Sequence, residues 1–496
     1  MRTAAVAFLI SMICGTVLTP IVRRLAHRFG VLDHAHSSRK IHGQPIPRLG
    51  GIAIVLAFFA PLLALLLFQT EVGHLFLAER EHVIGLFVGG IAIATLGLYD
   101  DLRGANAWKK FLVQFMVAGL LYRLGFRVGE LANPLGEPIA LGWVSLPFTV
   151  LWIVGVINAM NLIDGLDGLA GGVALVAVII TFLISIQRGH PLMMLFSSAL
   201  AGAIVGFLFY NFNPASIFMG DTGSMFLGFV LASTAIQTNQ KASTAVAVLI
   251  PGIALGLPIL DTLLAIGRRA IRGRPLFQAD REHIHHRLMA LGLSHRQTVL
   301  VLYGFCILLG AASLILTYAN SSQAALLLLV LALVAIVFLR SLGYMRFDRV
   351  SASSADRKRN RALLSAVRPL GRRLRQLRTT DEIWQVVIEA AQTLGATSAS
   401  LTSEDAGKPT ATPTPVFRYG QESAEGAAEP LRGRFAVPGG KVERSLELGW
   451  TDGRQEIDRD TEIAVDIFCE YLGDALELVR AVSVPARAIH SVEPHA

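Results

Sequence analysis

Cysteine and charged residues are both scarce in this sequence. Of its 496 residues only three are cysteine, namely Cys14, Cys306 and Cys469. They lie far apart without the spacing of a metal site, so we interpret them as buried structural thiols. Charged residues make up 16% of the chain, whereas soluble domains carry about 25%. The composition therefore argues against an ordinary soluble protein for most of the chain.

Long apolar runs are what the sequence has instead. A run of about 18 residues or more is long enough to cross a hydrocarbon core of about 30 Å. Such runs fill the first 340 residues and predict an all-α polytopic membrane domain with about 11 transmembrane helices. The first run is interpreted as an uncleaved span, because Arg23, Arg24 and Arg28 follow it rather than precede it. The predicted spans cover about residues 4–22, 49–69, 82–99, 108–126, 143–160, 169–187, 191–210, 223–238, 243–266, 298–318 and 322–340.

Lysine and arginine are divided unevenly between the predicted loops. The odd-numbered loops, together with the edges of the adjoining spans, carry 16 of them, and the even-numbered loops with their edges carry 5. Positive residues are retained on the cytoplasmic side of a membrane. The bias therefore predicts cytoplasmic odd loops, an N-terminus outside and a C-terminus inside.

The composition changes abruptly after Arg340. We divide the chain into a membrane domain at 1–340, a basic linker at 341–378, a soluble α+β domain at 379–485 and a tail at 486–496. The linker is expected to lie against anionic lipid. The soluble domain is predicted as a helix, four strands and a helix, and it resembles a minimal GAF-type sensor fold. Thr380 or Asp381 is expected to cap its first helix, and no ligand motif is visible in it.

Polar motifs interrupt the apolar runs, and all of them fall in odd loops or at their edges. They are therefore predicted to lie on one face of the membrane, where ionisable groups are candidates for function. The motifs are "LGLYDDLRG" with Asp100 and Asp101, "NAMNLIDGLDGLAGG" with Asn158, Asn161, Asp164 and Asp167, "LFYNFNPASIFMGDTGSMFLG" with Asn211, Asn213 and Asp221, "LPILDTLLAIGRR" with Asp261, and "FQADREHIHHRLMALG" with Arg281, His283, His285, His286 and Arg287.

The second of these motifs places four polar side chains three residues apart. On an α-helix each step of three lags by about 60°, so the first and the last cannot share one face. We expect the helix to end near Asn161 and the glycines of "DGLDG" to let the backbone open towards a ligand. Carboxylate and amide groups suit a nucleobase, a ribose or a hydrated cation, whereas a phosphate demands cations or N–H groups.

Each motif also has a purely structural interpretation. Asp100 and Asp101 could simply cap a helix, although adjacent carboxylates are tolerated best beside a cation. The "HIHH" cluster could belong to a surface helix, and zinc is disfavoured because no second ligand set accompanies it. Taken together, several aspartates on one face can hold Mg²⁺. Basic residues of the first loop, Lys40 and Arg48 among them, can neutralise a diphosphate.

Taken in order, the motifs "YDDLRG", "NAMNLIDGLDGLAGG", "YNFNPASIFMGDTGSMFLG" and "REHIHHRL" resemble those of the polyprenyl-phosphate N-acetylhexosamine-1-phosphate transferases, in glycosyltransferase family 4. The resemblance covers about residues 1–340 and not the C-terminal domain. It implies that undecaprenyl phosphate attacks the β-phosphorus of a UDP-N-acetylhexosamine. The products would be UMP and a lipid-linked diphosphate sugar that initiates cell-envelope glycan synthesis at the bacterial inner membrane. The cofactor would be Mg²⁺, with Mn²⁺ as an alternative.

The resemblance also implies roles for single residues. Asp221 matches the metal-binding aspartate of the family, and we include Asp101 as a second metal ligand. The implied catalytic residues are Asp100, Asp101, Asp221, His283, His285 and His286. The implied substrate-binding residues are Asn158, Asn161, Asp164, Asp167, Asn211, Arg281, Arg287, Lys40 and Arg48.

Other functions remain open at this point. The phospho-N-acetylmuramoyl-pentapeptide transferases are an enzymatic alternative, but they usually carry an uninterrupted histidine triplet, which "HIHH" is not. An ion-coupled transporter would need charges near the membrane midplane and an internal repeat. A membrane-anchored sensor would leave the aspartate motifs without purpose. We therefore predict a GlcNAc-type transferase that binds membrane lipid and no nucleic acid, and we leave a homodimer open.

Overall fold

The computed structural model is mostly helical and divides into two compact units. One comprises Met1–Arg268 and Leu276–Arg346, and the other Arg269–Pro275 and Phe347–Ala496. The residues that the structure describes are 2–33, 46–67, 71–131, 139–239, 249–272, 283–344, 363, 365–377, 379–404, 415–420, 431–438, 443–452 and 457–483.

The first unit is a bundle of helices with two short antiparallel hairpins. The hairpins pair β1 (Leu32–Asp33) with β2 (Ile46–Pro47), and β3 (Glu130–Leu131) with β4 (Ile139–Ala140). The helices are α1 (Arg2–Arg28), α2 (Gly50–Leu67), α3 (Glu71–Ala78), α4 (Arg80–Arg103), α5 (Ala107–Arg123), α6 (Ser145–Ile163), α7 (Leu169–Arg188), α8 (Pro191–Asn211), α9 (Gly220–Asn239), α10 (Leu249–Ala254), α11 (Gly256–Arg272), α12 (Ile284–Ala290), α13 (His295–Leu316) and α14 (Ser321–Ser341).

Seven helical segments of the described chain are long and apolar enough to cross a membrane. They correspond to the first, third, fifth, sixth, seventh, tenth and eleventh predicted spans, and they make the chain a multi-pass membrane protein. The total of about 11 spans stays a prediction. The segments are Arg2–Arg28, Arg80–Arg103, Gly142–Ile163, Leu169–Arg188, Pro191–Asn211, His295–Leu316 and Ser322–Ser341.

Several buried hydroxyl groups inside this bundle form hydrogen bonds with the backbone of their own helix. Thr19, Thr181 and Ser233 each donate to the carbonyl four residues earlier, at 2.6–2.9 Å. In hydrocarbon no water competes for these groups, so such back-bonding keeps a hydroxyl tolerable at membrane depth. The centre of the bundle is apolar, and Phe58 packs edge-on against Phe226 with 5.5 Å between ring centroids.

The segment that leads into α2 fixes the start of α9. Phe218 donates its N–H to the carbonyl of Pro47 at 2.7 Å, and Gly50 donates to the carbonyl of Phe218 at 2.9 Å. Gly51 donates to the carbonyl of Met219 at 2.8 Å. The first loop therefore forms a backbone ladder with the residues immediately before Asp221.

The second unit contains α15 (Thr380–Thr393), β5 (Ser398–Glu404), β6 (Pro415–Tyr419), β7 (Leu431–Val437), β8 (Glu443–Trp450) and α16 (Arg459–Ser483). Its antiparallel sheet has the order β6-β5-β8-β7. The predicted order of one helix, four strands and one helix is thus confirmed. The predicted cap was wrong by one residue, because Thr379 accepts the N–H of Glu382. The GAF-type resemblance and the domain boundaries stay predictions.

Part of the predicted basic linker is structured. Residues 365–374 are helical, and Val367, Leu370 and Leu374 are buried in the same apolar cluster as Trp384 and Phe468. The apolar positions recur at intervals of three and four, which is the pattern of a helix with one buried face. This stretch therefore belongs to the core of the second unit.

Candidate functional site

Asp101 caps the N-terminus of α9 from a distant part of the chain. Its Oδ1 accepts the N–H of Asp221 at 2.9 Å, and its Oδ2 accepts the N–H and the hydroxyl of Thr222 at 3.0 and 2.6 Å. The side chain is buried. The first N–H groups of a helix lack intrahelical partners and carry partial positive charge. The carboxylate therefore stabilises α9 and fixes the backbone of Asp221.

Gly220 makes this close approach feasible. Its φ is +70°, and a Cβ there would lie 2.7 Å from Asp101 Oδ2 and against the carbonyl of Arg48. Arg48 in turn donates to the main-chain carbonyl of Asp101 at 3.1 Å. A glycine is thus required both by the left-handed conformation and by the space.

Lys110 forms ion pairs with Asp100 and Asp221, and these two residues together with Asp101 are called the aspartate cluster below. Its Nζ forms an ion pair with Asp100 Oδ2 and a second one with Asp221 Oδ2, the latter at 2.6 Å. Asp100 also accepts the N–H of Ala105 through Oδ1 at 2.5 Å. Residues from α4, α5 and α9 therefore bring two carboxylates to one ammonium group.

The asparagines of α6 face the same helices. Asn161 donates to Ser224 Oγ at 2.9 Å, and its amide lies near the carboxylate of Asp221. Asn158 donates to Gln114 Oε1 at 2.7 Å, inside the bundle. Asn161 thus lies beside the aspartate cluster, whereas Asn158 links α6 to α5.

The α6 helix ends at Ile163, two residues beyond Asn161, near which we expected it to end, and residues 164–168 form a turn. Asp164 is half-buried in this turn. Burial, followed by the charges of Asp221, Asp101 and Asp167, raises the pKa of Asp164 to about 8. Asp164 is therefore mostly protonated at pH 7, and a cation bound beside it would favour its ionised form.

Asp167 and Asn211 tie the turn to the segment before α9. Asp167 Oδ2 accepts from Asn213 Nδ2 at 3.1 Å and from the N–H of Ala215 at 3.0 Å. Asn211 accepts the N–H of Gly168 at 3.1 Å and donates to the carbonyl of Ile217 at 2.9 Å. Both side chains are buried. These contacts give them a structural role in the site, and their contact with a substrate stays a prediction.

The histidine motif lies against the same turn. A Cβ on Gly165 would lie 2.8 Å from Nε2 of His285, so this ring covers the glycine. His283 and His285 stack with 5.9 Å between ring centroids, whereas the rings of His285 and His286 lie 4.2 Å apart with their planes tilted by 43°. Burial, and then the proximity of His286, lower the pKa of His285 to about 3. His285 is therefore a neutral imidazole at pH 7 rather than a cation.

Arg287 contacts the end of the last membrane helix. Its guanidinium carbon lies 4.1 Å from the ring centroid of Tyr344, and Nη1 donates to the carbonyl of Leu342 at 3.1 Å. Burial raises the pKa of Tyr344 to about 12. Lys40 and Arg281, the other two predicted basic contacts, lie outside the described residues.

Sequence reasoning missed Lys110 and Tyr303. Lys110 was counted only as an orientation charge, although a lysine in the first turn of an apolar helix was a usable signal. Tyr303 on α13 donates its hydroxyl to the carbonyl of Gly168 at 2.5 Å, and so it holds the aspartate turn. Its position inside an apolar span gave no local indication of this contact.

The model of glycosyl transferase family 4 matches residues 83–239. This range holds Asp100, Lys110, Asn161 and Asp221, which meet in the aspartate cluster.

Three relatives illustrate the similarity. A probable undecaprenyl-phosphate N-acetylglucosaminyl 1-phosphate transferase of Bacillus subtilis is 39% identical over 299 residues, which cover 60% of this chain and 80% of that protein. A decaprenyl-phosphate N-acetylglucosaminephosphotransferase of Mycolicibacterium smegmatis is 38% identical over 362 residues, which cover 68% of this chain and 88% of that protein. A phospho-N-acetylmuramoyl-pentapeptide-transferase of Halalkalibacterium halodurans is 29% identical over 299 residues, which cover 58% of this chain and 88% of that protein. By the extent and identity of the first two matches, the chain belongs to glycosyl transferase family 4.

Proposed function

We propose that the protein transfers N-acetylglucosamine 1-phosphate from UDP-N-acetylglucosamine to undecaprenyl phosphate, with release of UMP. The convergence of Asp100, Lys110, Asn161 and Asp221 supports this proposal, because a diphosphate needs positive charge and a carboxylate-bound cation around it. The names of the two relatives with the higher identities point to the same reaction.

In the proposed reaction an oxygen of the lipid phosphate attacks the β-phosphorus of the nucleotide sugar. The bond from that phosphorus to the bridging oxygen breaks, and UMP leaves with the electron pair. A phosphate monoester has a second pKa of about 6, so the attacking group is largely dianionic at pH 7. The protein then needs no strong base, and its task is to align two anions and to neutralise them.

The proposed roles follow from the contacts. Asp101 and Gly220 hold the backbone of Asp221 in place, so the Asp221 carboxylate is preorganised. Lys110 offsets one of the two negative charges of Asp100 and Asp221 before substrate arrives, and it can pair with a phosphate oxygen afterwards. His285, which is neutral and buried over Gly165, can hydrogen-bond the sugar or the diphosphate without adding charge.

Magnesium fits the aspartate cluster. Mg²⁺ prefers oxygen ligands and is usually held by one or two carboxylates together with substrate phosphates. We propose Asp221 and Asp100 as the carboxylates that hold it, since both carboxylate oxygens of Asp101 already accept bonds from α9. The ion would neutralise charge that develops on the diphosphate. Ligation by Asp101 stays a prediction.

The test is an assay of the purified full-length protein with several donors and acceptors. UMP release is measured with UDP-N-acetylglucosamine and with UDP-N-acetylmuramoyl-pentapeptide, each with undecaprenyl and decaprenyl phosphate. We expect release with the first donor and its dependence on Mg²⁺. Release with the pentapeptide donor alone would establish the alternative transferase. Ion flux into proteoliposomes without any UMP release would point to a transporter.

We further propose that the site faces the cytoplasm, as the charge bias predicts. Arg296 and Ser322 are both exposed. Arg296 lies at the N-terminus of α13, and Ser322 lies at the start of α14, beyond the C-terminus of α13. With Cys14, Cys306 and Cys469 replaced by serine, Ser322→Cys should react with an impermeant maleimide in intact cells. Arg296→Cys should react only after permeabilisation. The reversed pattern would invert the topology.

A further inference from the structure

Asp261 on α11 makes two buried contacts with the start of the histidine helix. Its Oδ2 lies 2.8 Å from Nδ1 of His283, and its Oδ1 accepts the N–H of Ile284 at 2.9 Å. Asp261 is 2% exposed and His283 is 5% exposed. Neither the chemistry of the aspartate cluster nor the proposed mechanism uses this pair.

The contact with Ile284 replaces a missing helix cap. Ile284 is the first residue of α12, and His283 at the N-cap position makes no side-chain capping bond. A carboxylate that accepts a free N–H at a helix N-terminus stabilises that helix. Asp261 therefore anchors α12 to α11.

The contact with His283 sets the chemistry of its ring. An ionised carboxylate only accepts hydrogen bonds, so Nδ1 of His283 carries the proton. In the neutral ring the lone pair is then on Nε2. The carboxylate thus fixes both the orientation and the tautomer of this imidazole.

His285 connects the ring of His283 to the turn at residues 164–168. His283 stacks on His285 with an angle of 7° between the two planes. His285 is 3% exposed, and neither of its ring nitrogens has a hydrogen-bond partner in the part of the chain that the structure describes. Its Nε2 lies over Gly165, next to Asp164. An unsatisfied buried imidazole is costly unless a ligand completes it.

We propose that Asp261 is a positioning residue for the transfer reaction. It anchors α12 and fixes the tautomer of His283. His285 is thereby positioned beside the Asp164–Asp167 turn, where it can contact the sugar diphosphate. The inference rests on the proposed function, because it assigns a role in the same reaction.

The experiment compares Asp261→Asn, His283→Phe and the double variant in the UMP-release assay. Asp261→Asn keeps an acceptor for Ile284 but presents an amide to His283, and His283→Phe keeps a ring but donates nothing to Asp261. We expect each to lower kcat by on the order of 10–100-fold, as is typical when a group that orients a functional histidine is lost. KM for the nucleotide sugar should change less, because alignment in the transition state is lost rather than binding.

The double variant shows whether Asp261 affects kcat through His283 or independently of it. If Asp261 works through His283, the double variant should be no worse than the more impaired single variant. Multiplied losses, or an unchanged kcat in folded Asp261→Asn, would overturn the proposal. Asp458→Asn is the matched control, since Asp458 accepts the N–H of Thr461 at 3.1 Å at the start of α16. Asparagine caps a helix about as well as aspartate, so its kcat should be unchanged.

Hydrogen exchange adds a readout that needs no activity. In Asp261→Ala the amides of residues 284–290 should exchange faster than in the unchanged protein, and equal exchange would contradict the anchoring. If the unchanged protein releases no UMP, the proposed function fails while exchange still tests the anchor. If Asp261→Asn does not fold, His283→Phe decides, because an unchanged kcat there excludes a role through His283.

Discussion

The membrane unit and the second unit use their polar side chains differently. In the membrane unit they connect distant helices through buried contacts, such as the caps that Asp101 gives to α9 and Asp261 gives to α12. In the second unit the ion pairs Arg373–Glu389 and Arg375–Asp474 lie on the surface, with side chains about half exposed. The difference teaches that buried polar contacts fix the geometry around the site in the first unit, whereas these ion pairs of the second unit lie where water screens them.

The largest effect is expected from a change of Asp221, which forms one of the polar contacts between helices of the membrane unit. Asp221→Asn removes a charge that we propose to hold the cation, so UMP release should fall by on the order of 100-fold or more. The unfolding temperature in detergent should not decrease, because the cap from Asp101 remains. Glu81→Gln, exposed at the opposite end of α4, is the control and should retain full activity. Activity close to normal in Asp221→Asn would refute the assignment of the metal site.

A second prediction separates Asp101 from Asp221. In Asp101→Asn one acceptor of the cap becomes an amide donor that faces an N–H group of α9. We expect a loss of about 1–3 kcal/mol in the free energy of unfolding, together with reduced UMP release. Thermal unfolding in detergent measures the first effect. A variant as stable as the unchanged protein would mean that the cap contributes little.

A third prediction concerns the cation between Asp100 and Asp221. Lys110→Gln leaves two carboxylates close together without their ammonium, which disfavours the folded state. Its unfolding temperature should be lower than that of the unchanged protein and should rise more steeply with added Mg²⁺. K⁺ at equal ionic strength is the control. An equal response of both proteins to Mg²⁺ would indicate that the ion does not bind at these carboxylates.

The smallest effect is expected in the second unit. Asp474→Asn breaks the exposed pair with Arg375, and such pairs contribute about 0–1 kcal/mol to stability. Unfolding of the full-length protein and UMP release should both be nearly unchanged. A loss comparable to that of Asp101→Asn would erase the contrast between the two units.

The sequence was informative where the signal is local. Apolar runs of sufficient length predicted the membrane helices, because hydrocarbon thickness sets their length. The glycines of "DGLDG" predicted the end of α6, which the structure places at Ile163. Alternation and turn residues predicted the four strands of the second unit, since a sheet with one buried face has a period of two.

The sequence was uninformative where contacts connect distant residues. Asp100 and Asp101 look equivalent in the chain, but consecutive helical residues point about 100° apart. One therefore meets Lys110 and the other meets α9, 120 residues further on. Neither partner could be deduced without the packing of α4, α5 and α9. The family resemblance, by contrast, named the aspartates but not Lys110.

The cap on α9 also has a consequence for biosynthesis. The 120 residues between Asp101 and Asp221 take on the order of 10 s to synthesise at the usual speed of translation. During that interval the nascent chain holds the aspartate pair without α9, and residues 283–287 follow later still. A half-inserted chain thus has no arranged carboxylate and no histidine helix, so transfer begins only when most of the membrane unit has been made.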